Sequence, residues 1–312
     1  MATFVGLDCG GSTSRVLAVD ETGKAVFRGQ SGPANLLATP EEIIVRNLRK
    51  ASEGCPPAVS VCGAFAGLVG PSEKAHAENL LRELFPGASV RAEADYAAAH
   101  AAAPAGTNIT IIAGTGSLVC GNDGDGNLVK TGGRGYLLGD EGSGYRFGHA
   151  ALVHFLRRPS ARTANLWAAV ESIFGSREDS TIVARVYQAP SPQPLLARLL
   201  PAFAADLDAG AAYAEGIAAR EQGDLAELVA THIDTYLFNL DTVRIALAGG
   251  VWNSSERFEH LFRTSLEGWL SNVEIEIDRI VRPPVQGAVE LAKESLAKEM
   301  QAKEQKEIGN GE

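Results

Sequence analysis

Two small-residue turns in this chain carry the residue types that handle phosphate. Phe4-Val5-Gly6-Leu7 is an apolar run that delivers Asp8 to Cys9-Gly10-Gly11-Ser12-Thr13, and a second apolar run, Val16 to Val19, follows at once. Strand, turn, strand predicts a hairpin whose tip offers bare backbone N–H groups beside one carboxylate. Gly10 and Gly11 let an anion come close, and the Ser12 and Thr13 hydroxyls can add hydrogen bonds. Asp8 beside a phosphate makes sense if a divalent cation sits between them. Taken alone, the stretch is equally an ordinary glycine turn. The device recurs, however: Ile109 to Ala113 leads into Gly114-Thr115-Gly116-Ser117 and then Leu118 to Cys120. The downstream spacing repeats too, with Gly23 and Val26 after the first turn and Gly126 and Val129 after the second. A repeat of this kind predicts a duplicated unit, with the two turns facing one ligand across a cleft.

A third candidate is Asp95, placed directly after a short strand, Ser89 to Glu93, and at the head of an alanine-rich helix. It could simply cap that helix. A helix N-terminus also favours the ionised carboxylate that a general base requires. A fourth is the run from Gly132 to Gly144, so rich in glycine that it predicts backbone wrapped around a ligand. The apolar Tyr136-Leu137-Leu138 within it argues against a merely flexible loop. Metal-ligand spacing is lacking. Cys9, Cys55, Cys62 and Cys120 fit no zinc or iron–sulfur pattern and predict free buried thiols. His149 and His154, five apart, fall on different helix faces.

Those residues need a frame to hold them. A chain of 312 residues with 45% hydrophobic and 21% charged residues predicts a globular protein with room for two domains. Its net charge of −10 argues against a nucleic-acid partner, although local amides and Mg²⁺ can still hold a nucleotide. The sequence enters a strand without a charged and apolar leader, and no apolar run is long enough to cross a bilayer. Those features predict a cytoplasmic location and no membrane partner. Ala25 to Arg28 supplies a third strand. Thr39-Pro40 predicts the start of a helix running to about Ser52, with the threonine as cap. Ala58 to Cys62 reads as a strand, Gly63 to Pro71 as a loop, and Ser72 to Leu84 as a helix. Pro104-Ala105-Gly106 is the expected boundary between an N-terminal domain, residues 1–105, and a C-terminal one, residues 106–312. Within the latter, about 145–240 reads as mostly helical with Pro190 to Pro194 as an interruption, and Leu207 to Asn239 as one or two long helices. Val243 to Ala248 is a strand ending in Gly249-Gly250, and Asn253-Ser254-Ser255 is expected to start a helix. Val273 to Ile277 is a late strand. A closing helix to about Met300 could return to the N-terminal domain. Strand triplets followed by alternating helix and strand, twice, predict an α/β protein with two mixed sheets.

With these stretches in order, the chain resembles the sugar kinase, actin and heat-shock chaperone superfamily. Within it, the chain is most similar to the N-acetylglucosamine kinase branch of the BadF/BadG/BcrA/BcrD ATPase family, over residues 3 to about 298. Asp8…Gly10-Gly11-Ser12 looks like the first phosphate motif and Gly114-Thr115-Gly116-Ser117 like the second. Leu247-Ala248-Gly249-Gly250-Val251 looks like the adenosine motif. The most specific stretch is Gly132-Gly133-Arg134-Gly135 with Leu138-Gly139-Asp140-Glu141-Gly142-Ser143. The resemblance implies two ribonuclease H-like domains around an interdomain cleft that holds ATP, Mg²⁺ and a sugar. Ser12, Thr115 and Gly250 fall on nucleotide positions, and the motif neighbours Gly10, Gly11, Thr13, Gly114, Gly116, Gly249 and Asn253 join them. Asn35, Ser117, Gly133, Arg134, Gly135 and Asp140 fall on sugar positions. Asp95 falls on the catalytic base, beside the sugar, and Asp8 on the metal.

The activity implied is phosphorylation of the 6-hydroxyl of N-acetylglucosamine or glucosamine. Arg134 stands where the family commonly has Trp, which opens N-acetylmuramic acid as a third substrate, its lactyl carboxylate pairing with the guanidinium. The rival class is an ATP-driven activator or switch of the same family, disfavoured by the missing bridging cysteines. A homodimer is compatible with the sequence and is not specified by it.

Overall fold

The computed structural model describes residues 2–270 and 272–309. Two units divide the chain. One takes Met1–Ala105 and Ile280–Glu312, the other Gly106–Arg279.

The first unit opens with three strands, β1 (Thr3–Cys9), β2 (Ser14–Asp20) and β3 (Ala25–Ser31), then α1 (Glu41–Ala51), β4 (Ser60–Phe65), α2 (Pro71–Leu84), β5 (Ser89–Ala94) and α3 (Asp95–Ala101). Its sheet runs in the order β3-β2-β1-β4-β5. β1 to β3 pair antiparallel, while β4 and β5 join in parallel. Alternation in β1 puts Val5, Leu7 and Cys9 on one face, where they meet Ile44 and Leu48 of α1 and Leu81 of α2. Pro40, not Thr39, holds the N-cap position of α1, with no side-chain bond to it. β4 runs on through Gly63-Ala64-Phe65, residues expected in a loop. All three are buried, and a Cβ at Gly63 would come within 2.5 Å of the Phe65 ring. Burial in the middle of a sheet outweighs the turn preference of glycine there.

The second unit repeats the opening with β6 (Ile109–Ala113), β7 (Ser117–Asn122) and β8 (Leu128–Thr131). Six α-helices follow: α4 (Gly144–Arg157), α5 (Ala164–Phe174), α6 (Asp179–Gln188), α7 (Pro192–Ala197), α8 (Leu200–Asp208) and α9 (Ala212–Tyr236). The expected interruption is present between α6 and α7 but is shorter: Pro190 and Ser191 are non-helical, while Pro192 begins α7 at the first helical position, where a missing N–H costs nothing. The chain then forms β9 (Thr242–Ala248), α10 (Gly250–Ser254), α11 (Glu256–Trp269) and β10 (Glu274–Arg279). This sheet has the order β10-β9-β6-β7-β8 and the same mix of pairings. Its core joins Ile109 and Ile111, Ile245 and Leu247, Leu225 and Val229 of α9, and Phe258, Phe262 and Leu266 of α11. Asn253 lies inside α10 rather than starting a helix. The next helix is capped by Ser255, whose Oγ accepts from Arg257 N at 3.1 Å.

The last helix, α12 (Pro284–Gly309), belongs to the first unit and runs past the expected end at Met300. It lies against the second face of that unit's sheet, Val285 and Val289 meeting Leu17 and Val19. The approach is close: a Cβ at Gly6 would stand 2.5 Å from Val289 N, and one at Gly287 would stand 1.9 Å from Ala98 O. Arg282 Nε donates to Ala102 O at 2.9 Å, which ties the start of this segment to the end of α3. Among the described residues, no helix is long and apolar enough to cross a membrane.

Candidate functional site

In the first unit the parallel strands end in a row. Cys9 lies beside Phe65, and Phe65 beside Ala94, so Asp8, the turn after Cys9 and Asp95 all stand along one carboxyl edge of the sheet. Ligands in α/β folds bind at such an edge, because adjacent connections there turn apart and leave a crevice. Gly10 N–H donates to Thr13 O at 3.0 Å, so the first amide of the turn is used internally. Among the described residues, the amides of Gly11 and Ser12 make no backbone hydrogen bond, and Ser12 is exposed. Gly10 N–H is thus used within the turn, and among the described residues the Gly11 and Ser12 amides are the ones left without a backbone acceptor. Burial raises the Asp8 carboxyl above its ordinary value, opposed by the Arg15 guanidinium 3.5 Å away.

Asn35 joins this edge through its neighbour, since Ala34 N–H donates to Gly10 O at 3.0 Å. Asn35 Oδ1 accepts from the amides of Leu37 and Ala38, both at 2.9 Å, which leaves its Nδ2 as the group free to meet a ligand. Asp95 is half-buried and is the first residue of α3. Ala94 takes the N-cap position, and Asp95 Oδ1 accepts from Tyr96 N at 2.9 Å. The simple capping role is thus corrected to a local bond one residue on.

The second unit has the matching edge, where Ile112 lies beside Ala248. Gly114 N–H donates to Gly116 O at 2.9 Å, closing the turn on itself. Gly144 N–H donates to Gly114 O at 2.8 Å and Tyr145 N–H to Thr115 O at 3.0 Å, so the start of α4 holds this turn. Here too the first amide, Gly114, is used within the turn. The amides of Thr115 and Gly116 donate no backbone hydrogen bond among the described residues. Gly249 follows β9 at φ 106°, and a Cβ there would stand 2.2 Å from Ala113 O. Only glycine fits. Gly250 is open, with nothing within 4 Å of an added Cβ. Asn253 accepts from Arg279 Nη1 at 3.4 Å and borders a cavity of about 900 Å³ lined also by Trp252, Glu256, Glu259 and Arg279.

The glycine-rich segment divides in two. Its later part lies on the turn: Ser117 Oγ donates to Glu141 O at 2.7 Å, and Asp140, 4% exposed, receives Gln193 Nε2 at 2.7 Å on Oδ2. Asp140 has φ 62°, uncommon for a residue other than glycine and a frequent mark of a functional site. Burial raises its carboxyl above the ordinary value. The Ser117 amide, Arg146 and Gln193 oppose that shift, and Glu141 adds to it. Its earlier part leans on the strand that leaves the turn. Gly133 packs on Leu118, a Cβ there being 2.7 Å from Leu118 Cβ, whereas Arg134 and Gly135 are exposed. Arg134 makes no ion pair among the described residues. Gln193 escaped the sequence because it sits in a proline-bounded stretch with no motif.

ATP and a metal can be tested against these residues. Open space at Gly11, Gly114 and Gly250 and the undonated turn amides suit phosphate. Among the described residues, no group of three or more His, Cys, Asp or Glu side chains could hold a metal. One carboxylate, Asp8, suits Mg²⁺ that arrives with phosphate oxygens and keeps its waters.

The fold is that of a two-unit α/β protein with two five-stranded mixed sheets of the same strand order, the fold of solved sugar kinases. The chain belongs to the BadF/BadG/BcrA/BcrD ATPase family, whose sequence pattern matches residues 5–292. It is 26% identical over 166 residues to the N-acetylmuramic acid/N-acetylglucosamine kinase of Clostridium acetobutylicum, covering 50% of this chain and 54% of that one. It is 28% identical over 172 residues to the N-acetyl-D-glucosamine kinase of Dictyostelium discoideum, covering 49% and 54%. These matches therefore span about half the length of either relative. In fold it is similar to a protein of Porphyromonas gingivalis provisionally named an N-acetylglucosamine kinase, with TM-score 0.71, 21% identity, and 92% and 97% of the two chains covered. A ROK family glucokinase of Streptomyces griseus, solved with glucose and AMPPNP, gives TM-score 0.58 at 18% identity, covering 94% and 100%.

Proposed function

We propose that this protein is an ATP-dependent amino-sugar kinase that phosphorylates the 6-hydroxyl of N-acetylglucosamine or glucosamine. The observation that carries this is the repeated carboxyl edge: one bears a glycine turn with Asp8 and Asp95, the other a glycine turn with buried, strained Asp140. The family and the kinase names of its relatives support the same activity. Gly10, Gly11, Ser12, Thr13, Gly114, Thr115, Gly116, Gly249, Gly250 and Asn253 would hold ATP, and Asp8 would hold Mg²⁺ directly or through water. Bound Mg·ATP would supply the phosphoryl group and neutralise charge on it. Asn35, Ser117, Gly133, Gly135 and Asp140 would hold the sugar, with Asp140 as an acceptor for hydroxyl protons. Asp95 would take the proton of the attacking hydroxyl.

Arg134 favours a second substrate. An exposed guanidinium with no ion pair among the described residues suits a carboxylate, which N-acetylmuramic acid has and N-acetylglucosamine lacks. ADP release measured over hexoses, amino sugars and N-acetylmuramic acid tests both readings. We expect release to depend on an amino sugar and Arg134→Ala to impair N-acetylmuramic acid alone. ADP release that ignores every sugar would instead fit an ATP-driven switch.

A further inference from the structure

Asp140 is held by more than its own loop. α4 carries Gly144 and Gly148 four residues apart, hence on one face, and α7 lies against that face. A Cβ at Gly148 would stand 1.9 Å from Leu196 O, and one at Gly144 would stand 3.7 Å from Ala197 Cβ. The backbone of α7 can approach this closely at Leu196 only because Gly148 lacks a side chain, whereas at Gly144 the tight neighbour is Gly114 O of the glycine turn, 2.9 Å from an added Cβ. Gln193 is the second residue of α7, between Pro192 and Pro194, so its backbone has little freedom. Its Nε2 reaches Asp140 Oδ2 at 2.7 Å and lies 3.1 Å from where a Gly116 Cβ would be. One amide thus touches the Asp140 carboxylate beside the second glycine turn.

We infer, on the sugar-kinase activity proposed above, that Gln193 is a positioning residue that aims the Asp140 carboxylate at a hydroxyl of the sugar. A donor fixed on Oδ2, together with the Ser117 amide that also donates to this carboxylate, restricts its rotation and leaves its remaining lone pairs to accept from substrate. It also favours the ionised form, the one that accepts from hydroxyls, against the burial that disfavours it. The other charged groups acting on Asp140 are Glu141 and Arg146. Because Gln193 sits on a separate helix, a shift of α7 by even a fraction of an ångström would move the acceptor away from its hydroxyl. Discrimination among hydroxyl epimers then depends on α7 as well as on the sugar loop.

Steady-state kinetics of Gln193→Leu and Gln193→Glu, with N-acetylglucosamine and glucosamine against Mg·ATP, test this. Leucine fills a similar volume without a donor. We expect the sugar KM of Gln193→Leu to rise about tenfold or more, the effect of losing one hydrogen bond to a charged group, with the ATP KM within about twofold of wild type. Gln193→Glu sets a second carboxyl against Asp140. Its activity relative to wild type should be low near neutrality and recover toward about pH 5.5, where two facing carboxyls share a proton. A hydrogen bond with a merely structural role would give neither the KM split nor that pH profile. The inference is overturned if Gln193→Leu keeps its sugar KM within about twofold, if both KM values rise together, or if the relative activity of Gln193→Glu is flat with pH. Should Gln193→Leu fail to fold, the pH profile alone decides. A wild-type protein that turns over none of the sugars would overturn the proposed activity, and this inference with it. The variant results overturn only the role of Gln193.

Discussion

At the scale of single residues, two carboxylates carry the proposed chemistry. Asp95→Asn keeps the shape of the side chain and its bond to Tyr96 N–H but removes the proton acceptor. We expect a folded protein with ATP affinity near wild type and a kcat lower by about a hundredfold or more, measured by coupled ADP release. A near-normal kcat would assign the base elsewhere. Asp140 has a carboxyl raised above the ordinary 3.8, so the folded state binds that proton more tightly than the unfolded chain does. The stability this gives is complete at low pH and is lost as pH rises through 3.8 and the folded value. Above that range the buried charge is a burden on the ligand-free fold. Asparagine tolerates the left-handed backbone at this position, so Asp140→Asn should have a Tm at or above wild type at neutral pH and a much higher sugar KM. A lower Tm in differential scanning calorimetry would contradict that.

At the scale of elements, glycine positions separate packing from binding. Gly249→Ala forces a side chain onto Ala113 O at a positive φ, and should destabilise the second unit by about 2 kcal/mol or more in urea unfolding. Gly250→Ala and Gly114→Val enter open space and should fold like wild type while weakening ATP binding. Gly116→Val is a poorer probe of the phosphate turn, since its Cβ would stand 2.7 Å from Asp140 Oδ2 and disturb the sugar side as well. Much of the frame was legible in the chain. The strand triplets around Gly10-Gly11 and Gly114-Thr115 follow from local apolar runs and turn residues, which sequence reports directly. β4 was shortened because Gly63 reads as a turn, and only its burial beneath Leu81 and Phe65 shows otherwise. Asn253 reads as a helix start, but the cap that matters, Ser255, lies two residues further on. Gln193 is invisible in the sequence, because its bond to Asp140 depends on α7 packing against α4 at Gly148, which no local pattern encodes.

At the scale of the molecule, two units of the same topology each carry a turn suited to phosphate. A ligand that binds only the folded protein stabilises it by about 2.7 kcal/mol at a hundredfold excess over Kd. Mg·ATP should therefore raise the Tm by several degrees, and ATP with a chelator by less, because the cation proposed for Asp8 would then be missing beside the phosphate. The measurement closest to the central claim follows the γ-phosphoryl group itself, from labelled Mg·ATP incubated with N-acetylglucosamine, glucosamine or N-acetylmuramic acid. The label should appear on the sugar as an acid-stable ester, one per ADP formed, and only with wild type rather than Asp95→Asn. Label released as free phosphate at the same rate with and without sugar would contradict the kinase assignment and mark the protein as an ATPase switch.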